Sequence, residues 1–337
     1  VLLLFVLLVN LLFGALAGRT VKRMSSAGPK EHPMREKMSA AFRGVRDALG
    51  EFGYKIKAAR IKQGAALFSG IFAAVVLVLI IGFIFVQGFT YLITHPSLIF
   101  GAYEFGSTKI TILPAIVTTL MVVFISILLA VPIGIMTAIF LHEYARHGNA
   151  FIKIIRTAID VLAGVPSIVY GLFGMITFVK IFGGSSSILS GSLTVAMMLL
   201  PTIVRSTEES LKSVPDALRE GSLALGAGKL HTIFRVVLPS ALPGILSAII
   251  LSIGRVISES APFLYTAGSI IKAVPKTPMD SGATLAVALY QLSGEGWYIN
   301  EAYATAVVLI ILVLGLNELA SLIGGKLEKK LKGNTNV

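Results

Sequence analysis

Long apolar runs alternate with short polar segments along this chain, and the runs set its architecture. About 20 apolar residues in helical conformation cross a bilayer core. The pattern predicts six spans, over residues 65–94, 110–141, 158–182, 188–204, 236–267 and 303–323. The runs are continuous rather than alternating, which excludes a transmembrane barrel. The expected fold class is all-α, a polytopic helical membrane protein. A further apolar stretch, residues 1–18, predicts an extra N-terminal helix, and residues 19–64 form a basic segment. Residues 65–325 are the membrane domain, with a polar loop at 206–235, and residues 326–337 are a basic tail.

The polar segments orient the spans. Lys and Arg gather in residues 19–62, around Arg146 and in the Lys326–Lys332 tail, and alternating spans bring all three to one side. That side is cytoplasmic by the positive-inside rule. Trp297 and Tyr298, in the predicted outer loop 270–300, suit an interfacial position. Glycines and serines at 183–187 predict a tight outer turn.

Composition agrees with a membrane solvent. Hydrophobic residues make up 55% of 337 positions and charged residues 14%, and the mean hydropathy is +0.86. A soluble surface needs more charge than that. The net charge of +12 lies in loops beside apolar spans, so nucleic-acid binding is excluded as its explanation. Cysteine is absent, which removes disulfides and thiolate metal sites.

Pro132, Pro166, Pro201 and Pro262 fall within predicted spans. They read either as ordinary membrane-helix kinks or as breaks facing a cavity that satisfies the freed carbonyls. The densest cluster, Gly164 to Gly171 around Pro166, is the best candidate for a broken helix.

The polar loop has its own grammar. Ser213 and Pro215 suit the start of a short helix, and Asp216 and Glu220 complement its positive end. Gly226 and Gly228 suit its stop. Leu230, Ile233 and Phe234 give a second short helix an apolar face, and Leu238-Pro239 marks re-entry into the membrane. Two such helices suit docking in a partner's groove or lying on lipid headgroups; the pattern leaves both open.

Arg255 falls well inside the fifth predicted span, where an unpaired charge is costly and faces protein or water rather than lipid. Its planar fork suits an oxyanion. Glu259 lies one turn further on the same face, so the two form either a structural pair or part of a path. Arg205 reads either as snorkelling toward the inner headgroups or as lining that path. No nucleophile–base arrangement, Walker loop or metal-ligand spacing is present among the five scattered histidines.

Glu220-Gly221-Ser222, then Gly226, Val236 and Leu238-Pro239, resembles the cytoplasmic motif of ATP-binding-cassette importer permeases, with Gly221 and Val236 as mild departures. Leu200 to Glu209 and Ile253 to Pro262 are similar to the phosphate importer permeases of the PstA type. The resemblance covers about residues 67–323. It implies a six-helix, MetI-like permease core in a prokaryotic inner membrane. It implies a coupling helix docked on an ATPase through Glu220, Gly221, Ser222, Gly226, Leu230, Ile233, Leu238 and Pro239, with Arg205, Arg255 and Glu259 on the substrate path. The implied partners are a companion permease (PstC type), an ATPase dimer (PstB type) that uses ATP and Mg, and an extracytoplasmic phosphate-binding protein (PstS type). This chain would bind no cofactor of its own. Rival readings are a permease for sulfate or molybdate and an ion-gradient-driven carrier. Residues 1–12 are similar to the closing helix of the companion permease, as a start within an upstream gene or a fused remnant would give; a mature start at Met24, Met34 or Met38 would follow.

Overall fold

The structure is a computed structural model that describes residues 35–101, 110–145, 150–296 and 298–333. The extra helix expected in residues 1–18, Arg146, His147 and Trp297 lie outside the described residues. Helices account for the regular structure, in the order α1 (Arg35–Thr94), α2 (Ser97–Phe100), α3 (Leu113–Ile139), α4 (Ala150–Gly164), α5 (Ser167–Gly174) and α6 (Ile188–Lys212). They continue as α7 (Asp216–Ala224), α8 (Lys229–Thr232), α9 (Leu238–Ser258), α10 (Ala261–Thr266), α11 (Leu285–Glu295) and α12 (Ile299–Gly333). Among the described residues there is no strand. Five helical stretches are long and apolar enough to cross a membrane, and a bent pair makes a sixth.

The boundary between two compact units, Val1–Leu77 and Val78–Val337, falls inside α1. The apolar part of α1 spans Ala66–Thr94, as the pattern predicts. In the larger unit, Phe83 stacks edge-on against Tyr303 of α12 at 5.7 Å. The Tyr91 hydroxyl donates to Glu301 Oε1 at 2.6 Å. These contacts tie the outer half of α1 to α12.

The core runs between α3, α6, α9 and α10, where Val122, Leu199, Ile203, Ile257 and Phe263 are buried together. Lipid tails are as apolar as these side chains, so association rests on close packing and interhelical hydrogen bonds rather than on a hydrophobic drive. A Cβ on Gly174 would stand 2.0 Å from Thr194 Oγ1, so α5 and α6 touch because this position has no side chain. Ser126 Oγ of α3 donates to the Ser192 carbonyl of α6 at 3.1 Å. Thr119 Oγ1 accepts the Leu285 N–H at 2.9 Å.

Three spans differ from the expected pattern. The third, predicted over 158–182, is two helices bent by 105° at Val165-Pro166, Ala150–Gly164 and Ser167–Val179. Pro166 disfavours helix at Val165. The Tyr170 hydroxyl donates to the Leu162 carbonyl at 2.8 Å, which also accepts the Val165 N–H at 3.1 Å, so this acceptor beside the break is satisfied. The fourth continues past Val204 to Lys212, because Arg156 pairs with Glu208 at 2.9 Å and makes a charged turn tolerable there. The fifth does not re-enter at Val236-Pro239. Helix begins at Lys229 and runs through a π turn, Ile233–Val237, into α9. Pro239 has no N–H for the preceding turn, and the widened turn absorbs that gap.

That fifth stretch also ends early, at Ser258, where Glu259 takes an extended conformation before α10 begins. The outer segment predicted as loop, 270–300, contains the apolar helix α11, whose Leu285, Val287 and Ala288 are fully buried. Thr284 caps it by accepting the Val287 N–H.

Candidate functional site

Two candidate sites emerge, one among the helical spans and one on the loop that the charge pattern predicts to be cytoplasmic. The Ser187 N–H donates to the Thr266 carbonyl at 2.9 Å, which puts the end of α10 level with the outer end of α6. Arg255 Nη1 approaches Thr202 Oγ1 at 3.5 Å. Thr202 is fifteen residues further along α6, about 22 Å at 1.5 Å per residue. Arg255 therefore meets α6 well inside that helix, although it occupies the last turn of its own helix.

Arg255 Nε meets Glu259 Oε1 at 3.6 Å, and the two side chains are 44% and 19% exposed. With Nε on Glu259 and Nη1 on Thr202, Nη2 has no partner among the described residues. Glu259 is the residue at which the helix ends, in an extended conformation, and its carboxylate still reaches one turn back to Arg255. Arg205 is one turn from Thr202 on α6 and forms an ion pair with Asp160 of α4. Arg205, Thr202, Arg255 and Glu259 thus form one polar seam, to which Asp160 adds a member that sequence patterning missed. Asp160 gave no signal because its partner is 45 residues away.

On the cytoplasmic side, α7 is a nine-residue helix whose start is Pro215 rather than Ser213. The Ser213 hydroxyl donates back to the Ser210 carbonyl at 2.8 Å and closes α6 instead. Gly226 takes φ +84°, the left-handed conformation that ends the helix. Glu220 and Gly221 are exposed, and Ser222 Oγ meets Thr232 Oγ1 at 2.9 Å, bracing α7 against α8. Leu218, Leu223, Leu225, Leu230 and Phe234 are all exposed, Leu225 at 91%. Ile233, expected on that exposed face, is buried against Leu141, Leu211 and Val237 in the protein's own core. Leu238 and Pro239 are half-buried at the root of α9.

Arg219 fixes this loop, and the sequence pattern missed it. It is 14% exposed and donates from Nε to Glu143 Oε1 at 3.2 Å. Nη1 donates to the Val214 carbonyl and to Asp216 Oδ1, and Nη2 to the Leu211 carbonyl. Lys229 Nζ adds a hydrogen bond of 2.5 Å to the Glu143 carbonyl and stands 4.7 Å over the Tyr144 ring. The hook is thereby bolted to the cytoplasmic end of α3.

Residues 130–333 match the family model described as "Binding-protein-dependent transport system inner membrane component". The chain belongs to this family. As such a permease, it is a multi-pass membrane protein. It is 33% identical over 291 residues to a Bacillus subtilis protein named "Probable ABC transporter permease protein YqgI", a match covering 79% of this chain and 95% of the relative. It is 41% identical over 196 residues to a Mycobacterium leprae protein named "Phosphate transport system permease protein PstA", covering 57% of this chain and 64% of that one. The chain thus spans somewhat less than two thirds of the mycobacterial relative. Among solved structures it is similar to the inward-facing MetNI methionine ABC transporter, with TM-score 0.54 and 22% identity over 65% of this chain and 95% of that one. This last likeness shows the permease's fold.

Proposed function

We propose that this permease is the PstA-type transmembrane subunit of an ATP-driven phosphate importer, forming half of the anion path and coupling it to a separate ATPase. Arg255 carries this reading: a guanidinium within the helical spans, nearly half exposed, whose Nη2 has no partner among the described residues. Two Nη donors in fixed geometry fit two oxygens of a tetrahedral oxyanion. Glu259 competes for the same cation and keeps the anion's stay short, since conduction needs release as well as entry. Arg205, held by Asp160, continues the seam toward the cytoplasm.

The exposed leucines of α7 and Phe234 enter a groove of the ATPase, with Glu220 at the rim. Gly221, Gly226 and Ser222 set the shape of the hook, while Leu230 extends its apolar face. Ile233, Leu238 and Pro239 transmit its movement into α9 from inside the protein. The partners under this reading are a PstB-type ATPase dimer that uses ATP and Mg²⁺, a PstC-type permease and a PstS-type phosphate-binding protein. The PstA-named relatives support phosphate over sulfate or molybdate, and family membership does not favour a gradient-driven carrier.

The test is uptake into vesicles reconstituted with all four components. Phosphate should enter with ATP and not with an ion gradient, and sulfate and molybdate should not compete. Uptake by this chain alone on a gradient would reject the reading.

A further inference from the structure

The outer face holds a second polar feature, which neither site uses. A cavity of about 400 Å³ opens between the turn after α5 and the loop after α10, lined by Ser185, Ser186, Ser269, Lys272 and Ser281 together with Gly268 and the apolar Ile270 and Met279. Its lining contains one cation and no carboxylate. We propose that this cavity is an outer reception site for a small tetrahedral oxyanion; the proposal rests on the importer reading above.

The donors are arranged for such a ligand. Lys272 Nζ donates to Ser281 Oγ at 2.8 Å, which aims the ammonium and leaves two of its three N–H donors for a guest. The hydroxyls of Ser185, Ser186 and Ser269 make no hydrogen bond among the described residues, so each can donate to an oxyanion. The neighbouring acid, Asp280, is occupied elsewhere: its Oδ2 accepts the backbone N–H of Lys276 at 2.7 Å and of Thr277 at 2.9 Å.

The walls are also fixed. The Ile188 N–H donates to the Asp280 carbonyl at 2.9 Å and the Leu189 N–H to the Pro278 carbonyl at 2.8 Å, while Gly282 N–H bonds the Ala267 carbonyl at 3.1 Å. These bonds use up the first N–H groups of α6, so the binding groups are the serines and Lys272 and not a helix end. Gly268, at φ +136°, lies against Gly282, where a Cβ would meet the Gly282 nitrogen at 3.2 Å. One cation with neutral hydroxyls binds an oxyanion weakly, which suits a station that must pass its guest inward.

The test uses the assembled importer without binding protein, in lipid nanodiscs. The chain has no cysteine, so Val274→Cys, two residues from Lys272 and outside the lining, can carry an environment-sensitive dye attached before assembly. Inorganic phosphate, titrated at constant ionic strength, should give a saturable response that chloride does not. Lys272→Gln should weaken it about tenfold or more, as loss of a charged hydrogen-bond donor does, and Lys272→Arg should retain it. An equal response to chloride, no saturation, or an unaltered response in Lys272→Gln overturns the site. Uptake by the unlabelled importer reports separately on the importer reading: vesicles that take up phosphate while the dye stays silent sink only the cavity, and a phosphate response without phosphate uptake sinks only the importer.

Discussion

Arg219, in the middle of the hook, is bound across 3.2 Å to Glu143, in the π turn Phe140–Tyr144 that continues α3. The two residues are 76 apart in the chain, and they tie the hook to a membrane span. A hook held only by its two hinges would absorb a push from a partner; one bolted to α3 passes it on.

Arg219→Met is therefore expected to uncouple the importer. Removing one partner of a buried charged pair costs about 3 kcal/mol or more, and here it also takes a charged donor from the carbonyls of Leu211 and Val214. Thermal unfolding of the purified complex should fall by several degrees, and ATP hydrolysis should lose its dependence on loaded binding protein. A double change with Glu143→Gln should cost less than the two single losses added together.

Leu225→Asp tests the docking face. Leu225 is 91% exposed, so the permease should keep its unfolding temperature. Co-purification of an ATPase should drop about tenfold, because a carboxylate must be desolvated in the groove. Unchanged co-purification would assign this leucine to the lipid surface.

Arg255→Gln should reduce phosphate uptake at least tenfold while leaving assembly intact, since a charged donor to the anion is lost. Glu259→Gln acts in the opposite sense on affinity. Freed of its competitor, Arg255 should hold the anion longer, lowering the half-saturating phosphate concentration and the maximal rate together. Initial-rate uptake in both variants separates a path role from a merely structural pair, in which both changes would simply destabilise.

Asp280 sets a pH expectation for the outer loop. Hydrogen bonds from the Thr277 and Lys276 backbone hold its carboxyl below its usual 3.8. A carboxylate whose folded pKa is depressed contributes stability that is fully present above the unfolded value and is lost as pH falls through the folded one. Protease cleavage of the 272–281 loop should thus be constant from pH 8 to about 5 and rise only in the acid range below the unfolded carboxylate value. Asp280→Ala should show the raised cleavage at every pH.

Gly226→Ala places a side chain at φ +84° and should cost about 1 kcal/mol. The cost falls on the end of α7, so it should appear as weaker ATPase attachment rather than as global unfolding.

Hydrophobic patterning alone was enough for the class, for six spans once the bent pair is taken as one, and for the place of the hook. The bilayer demands long apolar runs with internally satisfied backbone, and positive residues stay inside, so both properties are written locally in the chain. The glycine stop at Gly226 and the charges at Arg255 and Glu259 were equally local, the pair being one helical turn apart. Tertiary structure decided what depends on distant partners. Arg219 has meaning only beside Glu143, Asp160 only beside Arg205, and Ile233 is core rather than docking surface because Leu141 and Leu211 close over it. The 105° bend at Pro166 and the buried helix α11 belong to the same class. A proline permits a bend and an apolar run permits burial, but the packing of α6, α3 and α12 around them fixes which outcome holds.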